Sequence, residues 1–222
     1  MIKKIMKLAA CLLPALFAVG CATHQAQPYD YTAFKAAKPK SIVVLPPLNN
    51  SPEIKATYGM LSQMSYPLAE AGYYVLPVAA VDETFRQNGL TNAADIHAVD
   101  VKKLHDIFGA DAGLYVTVNK YGSVYTVLNS EVIVSAEAKL VDLKTGALLW
   151  TGKATASSAE QNNNNSGGLV GMLVAAAVKQ IINTSTDASY PLAGVASNRL
   201  LSAGSSNGIM YGPRSANYEK QQ

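Results

Sequence analysis

The hydrophobic pattern of the chain changes near residue 110, and this change limits the folds that the sequence can adopt. Before it, short apolar runs at 41–45 and 73–78 alternate with helical patterns. This order indicates parallel pairing of at least two strands, because parallel strands are joined by crossover helices. After it, residues 113–121, 132–141 and 147–156 alternate apolar and polar side chains as half-buried strands do. We therefore predict an α/β (α+β) domain with helices and a mixed five-stranded sheet, whose first half is parallel and whose second half is an antiparallel meander.

Several element boundaries are marked by residues with strong local preferences. Asp100 is a typical N-cap and Gly109 a typical residue after a helix, so a helix is predicted over 101–108. Another helix is predicted over 81–87. Gly146 supplies the positive φ that a tight connection between the last two strands requires.

Proline has a defined place in the remaining helices. Residues 58–64 have helical spacing, but Pro67 lacks the N–H that a helix interior needs. We predict that Pro67 begins a new helix over 67–71, since proline is well tolerated at a first helical position. A last short helix is predicted over 191–202.

The N-terminus has the pattern of a bacterial lipoprotein signal. Three lysines precede an apolar stretch at 8–19, which is too short for a bilayer core that needs about 20 residues. The stretch ends at Gly-Cys, so residues 1–20 are predicted to be removed and Cys21 to be acylated, although an ordinary cleavage site with an incidental cysteine is the alternative. Ala22 in place of Asp resembles lipoproteins sorted to the outer membrane of Gram-negative cells.

Removal of the signal changes the charge balance. The signal contains three of the 18 lysines and arginines, so 15 basic residues remain, and they balance the 15 aspartates and glutamates. A neutral mature chain gives no reason to expect a nucleic-acid partner. Cys11 is lost with the signal and Cys21 is acylated, so no disulfide is expected.

Composition divides the mature chain into three parts. Residues 21–40 have no apolar periodicity and are predicted to be a flexible tether. Residues 41–202 are predicted to form a single α/β domain, and the Ser-, Asn- and Gly-rich residues 203–222 a C-terminal tail.

The segment 169–182 is apolar nearly all round. A helix without a polar face is covered by protein or lipid, so this one packs on the sheet, forms a subunit interface or contacts the membrane. We predict a homodimer, because a helix that packs one side on a sheet leaves its other side to be covered. The candidate interface residues are Gly171, Met172, Val174 and Val178.

No catalytic motif is found in the sequence. Three histidines, His24, His97 and His105, lack the spacing of a metal site, so no metal, cofactor or catalytic residue is predicted. Tyrosine is prominent, with 12 residues, and tyrosine is enriched in protein interfaces. These tyrosines include Tyr58, Tyr66, Tyr73, Tyr74, Tyr121 and Tyr125.

Three segments in order carry a family resemblance. They are Pro67-Leu-Ala-Glu-Ala-Gly-Tyr-Tyr-Val-Leu-Pro-Val78, Leu104-His-Asp-Ile-Phe-Gly-Ala-Asp-Ala-Gly-Leu114 and Val141-Asp-Leu-Lys-Thr-Gly-Ala-Leu-Leu-Trp150. Behind a lipoprotein signal, they resemble a family of Gram-negative outer-membrane lipoproteins of unknown function. That family is similar in fold to the amino-terminal domain of TolB, to the curli secretion subunit CsgG and to LpoB, an activator of peptidoglycan synthase. The resemblance implies a three-layer α/β domain that acts by binding.

Two classes of function follow. The first is a non-enzymatic lipoprotein that lies in the periplasm, is held at the outer membrane by its lipid and binds envelope proteins in a secretion or cell-envelope assembly complex. A pore subunit within this class needs amphipathic hairpins, for which 124–134, with a turn at 129–131, is a poor candidate. The second class is a ligand-binding or hydrolytic envelope protein, which a pocket lined by tyrosines with one perturbed carboxylate would favour.

Overall fold

A computed structural model describes residues 28–125, 130–162 and 187–221 of the chain. Among these residues, no helix is both long and apolar enough to cross a membrane. The helices are α1 (Thr32–Ala37), α2 (Ala56–Glu70), α3 (Val78–Gln87), α4 (Ala93–His97), α5 (Val101–Phe108) and α6 (Ser189–Leu201), with short 3₁₀ helices at Ser158–Asn162 and Tyr218–Gln221. The strands are β1 (Ser41–Val44), β2 (Leu48–Asn49), β3 (Tyr74–Val75), β4 (Ala112–Tyr125), β5 (Ser130–Asp142) and β6 (Leu148–Ser157).

The strands form one open mixed sheet in the order β3-β1-β4-β5-β6. β1 pairs in parallel with both β3 and β4, and β4, β5 and β6 form an antiparallel meander. The predicted mixed sheet is therefore confirmed. The structure adds a sixth strand, since the two residues of β2 pair in parallel with β4.

Helices cover both faces of the sheet, as predicted. One face, with Val44, Leu114 and Leu140, packs against α1, α2 and α6. The other face, with Val43 and Leu143, packs against helices α3, α4 and α5. These two buried clusters make the domain a three-layer structure with the sheet in the middle.

The local boundary signals of the second half of the sheet and of α5 are confirmed. The Asp100 carboxylate accepts a hydrogen bond from the Lys102 N–H at 2.9 Å, and α5 begins at Val101. Gly109 ends the helix with a φ of 64°, and Gly146 has a φ of 75° in the turn before β6. Each of these signals acts through its own backbone, so the rest of the fold does not alter it.

The predicted helix break at Pro67 is wrong. Helix α2 continues through Pro67 to Glu70, so the loss of one N–H near the C-terminal end of the helix is tolerated. Burial explains this result: Met60, Met64 and Leu68 lie on one side of α2 and are fully buried in the core. A break at residue 67 would take Leu68 out of that row.

The chain between α2 and α5 also differs from the prediction. The strand expected over 73–78 pairs only at Tyr74–Val75, and α3 begins at Val78, three residues before the predicted start. Helix α4 was not predicted, although Asn92 caps it by accepting a hydrogen bond from the Asp95 N–H at 2.8 Å. This helix places Ile96 in the second buried cluster.

Strand β5 begins earlier than predicted. The register pairs Tyr125 with Ser130 and Val124 with Glu131. The turn expected at 129–131 is therefore wrong, because residues 130 and 131 are already in β5. The pairing register of β4 with β5 also shifts by one residue between Val118 and Lys120, which is a β-bulge at Asn119.

Residues from both ends of the chain pack on the domain. Helix α1 lies within the segment predicted to be a tether, and its Phe34 is buried in the first cluster. Within the predicted tail, Ile209 and Met210 are buried in the same cluster. The Trp150 indole N–H donates to the Asn207 carbonyl at 3.0 Å, and the Tyr73 hydroxyl donates to the Met210 carbonyl at 2.6 Å. We expect both segments to contribute to the stability of the domain.

Candidate functional site

The site residues predicted from the sequence lie outside the described residues. These are the lipidation site Cys21 and the candidate interface Gly171, Met172, Val174 and Val178. They stay predictions. His24 also lies outside the described residues, whereas the other two histidines are placed.

Both placed histidines contact backbone carbonyl groups. His97 Nε2 lies 2.9 Å from the Pro46 carbonyl, and His105 Nδ1 lies 2.9 Å from the Ala110 carbonyl. Burial lowers the pKa of His97, and Lys139 adds to this effect. Within the described residues, no group of three His, Cys, Asp or Glu side chains has the geometry of a metal site.

A surface formed by α2 and α6 differs from an ordinary helical surface. The two helices pack together, with the buried Ser197 hydroxyl against Met60. No charged residue occurs in 56–69 of α2 or in 189–198 of α6. Solvent-exposed helical faces are normally rich in charged residues.

Tyrosines occupy the outer side of these two helices. Tyr66 is 65% exposed, Tyr58 46% and Tyr190 45%. The hydroxyls of Ser62 and Tyr190 lie 3.4 Å apart, which joins the helices at their surface. We call this surface, with residues 56–69 and 189–198, the uncharged face. A surface that is poor in charge and rich in tyrosine has the composition of a protein interface core.

An open cleft of about 540 Å³ lies at the first turns of α2 and α6, at one end of the uncharged face. We call it the tyrosine cleft. Its lining residues are Ile54, Lys55, Tyr58, Gly59, Tyr121, Asp187 and Tyr190. The volume is within the range of about 300–1,000 Å³ that is typical of ligand pockets.

Tyr121 reaches the cleft because of the bulge in β4. Strict alternation would place residue 121 on the sheet face opposite to Val118. The extra residue at Asn119 reverses the alternation, so Tyr121 pairs with Val134 and lies in the first buried cluster under α2. Gly59 makes room for it, since a methyl group at residue 59 would overlap the Tyr121 hydroxyl.

The Tyr121 hydroxyl has no hydrogen-bond partner, and it is the one buried side-chain polar atom of the described residues in this state. The residue is only 5% exposed. Burial raises the pKa of Tyr121 to about 12, and the carboxylates of Asp187 and Glu53 add to this effect. The hydroxyl therefore keeps its proton at neutral pH and is a donor. A buried donor without an acceptor costs about 1–3 kcal/mol of stability.

Side-chain contacts hold the Tyr58 wall of the cleft in place. The Arg86 guanidinium donates to the Tyr58 hydroxyl at 3.0 Å, lies 5.8 Å from the centre of the Tyr58 ring, and pairs with Asp82 at 3.1 Å. This network fixes the Tyr58 ring against α3. Lys55 and Asp187 face each other at 3.8 Å at the mouth. The cleft thus offers one fixed aromatic wall, at Tyr58, and one buried donor, at Tyr121, which suits binding.

Part of this site is predictable from the sequence. The tyrosine content of the sequence predicts an interface role for Tyr58, Tyr66 and Tyr121, but not for Tyr190. The missing signal was the absence of charge over 56–69 and 189–198, which is readable in the sequence. The assembly of these segments into one surface needs the tertiary contact between α2 and α6.

Comparisons with known proteins identify the relatives of the chain. A family model described as "Putative lipoprotein GNA1162-like" matches residues 29–214. The "Putative lipoprotein NMB1124/NMB1162" of Neisseria meningitidis serogroup B is 54% identical over 210 residues, which cover 95% of each chain.

Solved structures include further similar chains. The crystal structure of lipoprotein GNA1162 from Neisseria meningitidis is 57% identical, with a TM-score of 0.53, and the match covers 66% of this chain and 100% of that one. The LpoB C-terminal domain from Salmonella enterica is 18% identical, with a TM-score of 0.39, over 53% of this chain and 82% of that one. On the family model and the Neisseria relative, the chain belongs to the GNA1162-like lipoprotein family.

Proposed function

We propose that this protein is a non-enzymatic lipoprotein that binds other envelope proteins, as a subunit or accessory of a secretion or cell-envelope assembly complex. Its acylated Cys21 holds it at the outer membrane, and its domain lies in the periplasm. Membership of a lipoprotein family supports the anchor. The observation that carries the binding role is the uncharged face.

The composition of the uncharged face supports protein binding over simple exposure to water. Charged side chains are costly to bury in an interface unless each one is paired. A surface that lacks them is buried at low cost, and exposed Tyr58, Tyr66 and Tyr190 supply large rigid contact areas with a hydrogen-bonding tip. We therefore place the partner on α2 and α6.

Photo-cross-linking in living cells tests this role. A benzophenone amino acid is placed at Tyr66 of the full lipidated chain, and at Ile107 as a control. Ile107 is also an exposed residue on a helix, but it lies on α5 in the opposite layer. We expect defined adducts with envelope proteins from position 66 and few from position 107. If position 66 gives no adduct above the control, the uncharged face is not an interface and the proposal is wrong.

A charge on the same face gives an independent check. Ser62 is exposed on α2, so Ser62→Glu is expected to leave the fold intact and to reduce the adducts from position 66 by about tenfold, because it buries an unpaired carboxylate in the interface. Glu70 is already charged at the end of α2. A Glu70→Gln variant is the matched control and should leave the adducts unchanged.

A periplasmic ligand-binding role is the second candidate, and the tyrosine cleft favours it by its volume and aromatic walls. A hydrolytic envelope protein would need a perturbed carboxylate in such a pocket as well. An acidic substitution on α2 away from the cleft distinguishes ligand binding from protein binding. Ligand binding at the cleft alone would be insensitive to Ala69→Glu, since Ala69 is exposed near the C-terminal end of α2 and does not line the cleft, whereas protein binding on the uncharged face would be weakened.

A further inference from the structure

We propose that the tyrosine cleft receives an uncharged, apolar peptide segment of the partner protein, and that the Tyr121 hydroxyl donates a hydrogen bond to a backbone carbonyl of that segment. The inference rests on the proposed function and names the chemistry that its partner presents. The cleft adjoins the uncharged face, because Tyr58 and Tyr190 belong to both.

The first step concerns the hydrogen bond. The Tyr121 hydroxyl is a buried donor without an acceptor, although almost all buried polar groups in folded proteins are paired. Gly59 is needed to leave room for the hydroxyl. A phenylalanine would fill the same space without the unpaired group, so the hydroxyl is destabilising in the free protein. An acceptor supplied by a bound partner would satisfy it.

The second step concerns the charge of the acceptor. The carboxylates of Asp187 and Glu53 lie close enough to Tyr121 to act on its hydroxyl. A ligand carboxylate or phosphate would meet this negative field, and the nearby cation, Lys55, already faces Asp187 at 3.8 Å. A cationic group has no lone pair to accept the hydrogen bond. A neutral oxygen, such as an amide carbonyl, remains.

The third step concerns the body of the ligand. Ile54 stands at the rim of the cleft with 89% of its surface exposed, beside the rings of Tyr58 and Tyr190. An isoleucine at the rim has no group that could form a hydrogen bond with the hydroxyls of a sugar, but it can pack against an apolar side chain. A peptide provides the neutral carbonyl and the apolar side chain together. A glycan is therefore the alternative that the experiment has to separate.

The test uses the full mature chain in detergent. Random twelve-residue peptides displayed on phage are selected against it, and the enriched peptides are remade with acetylated and amidated ends for anisotropy titrations. We expect uncharged apolar sequences whose affinity falls about fivefold with Tyr121→Phe, the effect of one net hydrogen bond. Tyr125→Phe is the matched control, since Tyr125 is on the same strand but exposed and outside the cleft, and it should leave the affinity unchanged.

Stability gives a second readout that a merely structural tyrosine would not match. Tyr121→Phe is expected to raise the melting temperature by several degrees, because it removes an unpaired buried donor, while it weakens binding. If Tyr121 served only the core, its replacement would lower the stability of the protein or leave its affinity for the peptides unchanged.

Defined outcomes overturn the inference. It is wrong if no peptide is enriched, if the enriched peptides bind Tyr121→Phe as tightly as the wild type, or if they carry acidic groups that the binding requires. Binding of chitotriose that depends on Tyr121 would also overturn it and would assign the cleft to a glycan. If position 66 gives adducts but no peptide binds the cleft, the proposed function stands and this inference is wrong. If peptides bind the cleft but position 66 gives no adduct, the cleft is a peptide site and the proposed function is wrong.

Discussion

Helix α1 provides a direct test of how much the N-terminal segment contributes to folding. Its sequence suggests a tether, but Phe34 is buried in the main cluster. A phenylalanine buries about 200 Å², which at about 25 cal/mol per Å² corresponds to about 5 kcal/mol as an upper value. Alanine retains part of this area, and a six-residue helix at the end of the chain is free to relax. We therefore expect Phe34→Ala to lower the free energy of unfolding by about 3 kcal/mol.

The single tryptophan of the chain makes this change measurable. Trp150 is buried, and its indole N–H donates to the Asn207 carbonyl of the C-terminal segment. Its fluorescence during urea denaturation therefore reports on the core against which both terminal segments pack. In a domain of this size, about 3 kcal/mol corresponds to a fall in melting temperature of about 6–12 °C.

A control on the same helix isolates the effect of burial. Lys35 is exposed on α1, and Lys35→Ala should change the free energy of unfolding by less than about 0.5 kcal/mol. If Phe34→Ala also costs less than about 0.5 kcal/mol, α1 does not pack on the domain in solution. Residues 21–40 would then behave as a tether throughout their length.

Three further predictions concern the anchor, pH and self-association. Cys21→Ser should release the protein from the detergent-requiring membrane fraction, because acyl chains supply the membrane affinity, and a variant that stays quantitatively in that fraction would refute the lipid anchor. Burial, with a smaller effect of Lys139, lowers the pKa of His97, so near pH 6 the unfolded chain binds more protons than the folded protein and stability falls as the pH drops below about 6.5. His97→Gln should flatten the pH dependence of the urea midpoint between pH 7 and 5, and an unchanged slope would contradict this. Met172→Glu or Val174→Glu should reduce self-association in light scattering, and a wild-type chain that is monomeric across micromolar concentrations would exclude the dimer.

The fold class was readable from the sequence because it depends on local periodicity. A period of two residues marks strands β4, β5 and β6, whatever they pack against. The capping residues Asp100 and Gly109 act within their own turn of backbone, so the limits of α5 were predicted to the residue. The family resemblance depends on the same kind of local information, and the family model confirms it.

The tertiary structure decided the features in which distant residues compete with local preference. Burial of Leu68 carries α2 through Pro67, although proline favours a break. Phe34 and Met210 lie in segments of polar composition, and only the core that they meet shows that they are buried.

The site depends on tertiary structure in the same way. The bulge at Asn119 reverses the alternation of β4 and brings Tyr121 under Gly59, which no count of alternating residues reveals. The uncharged face is formed by two segments of the sequence, 56–69 and 189–198, that lie more than 100 residues apart. Their composition is fixed by the sequence. They act as one surface only because α2 and α6 pack side by side on the same face of the sheet.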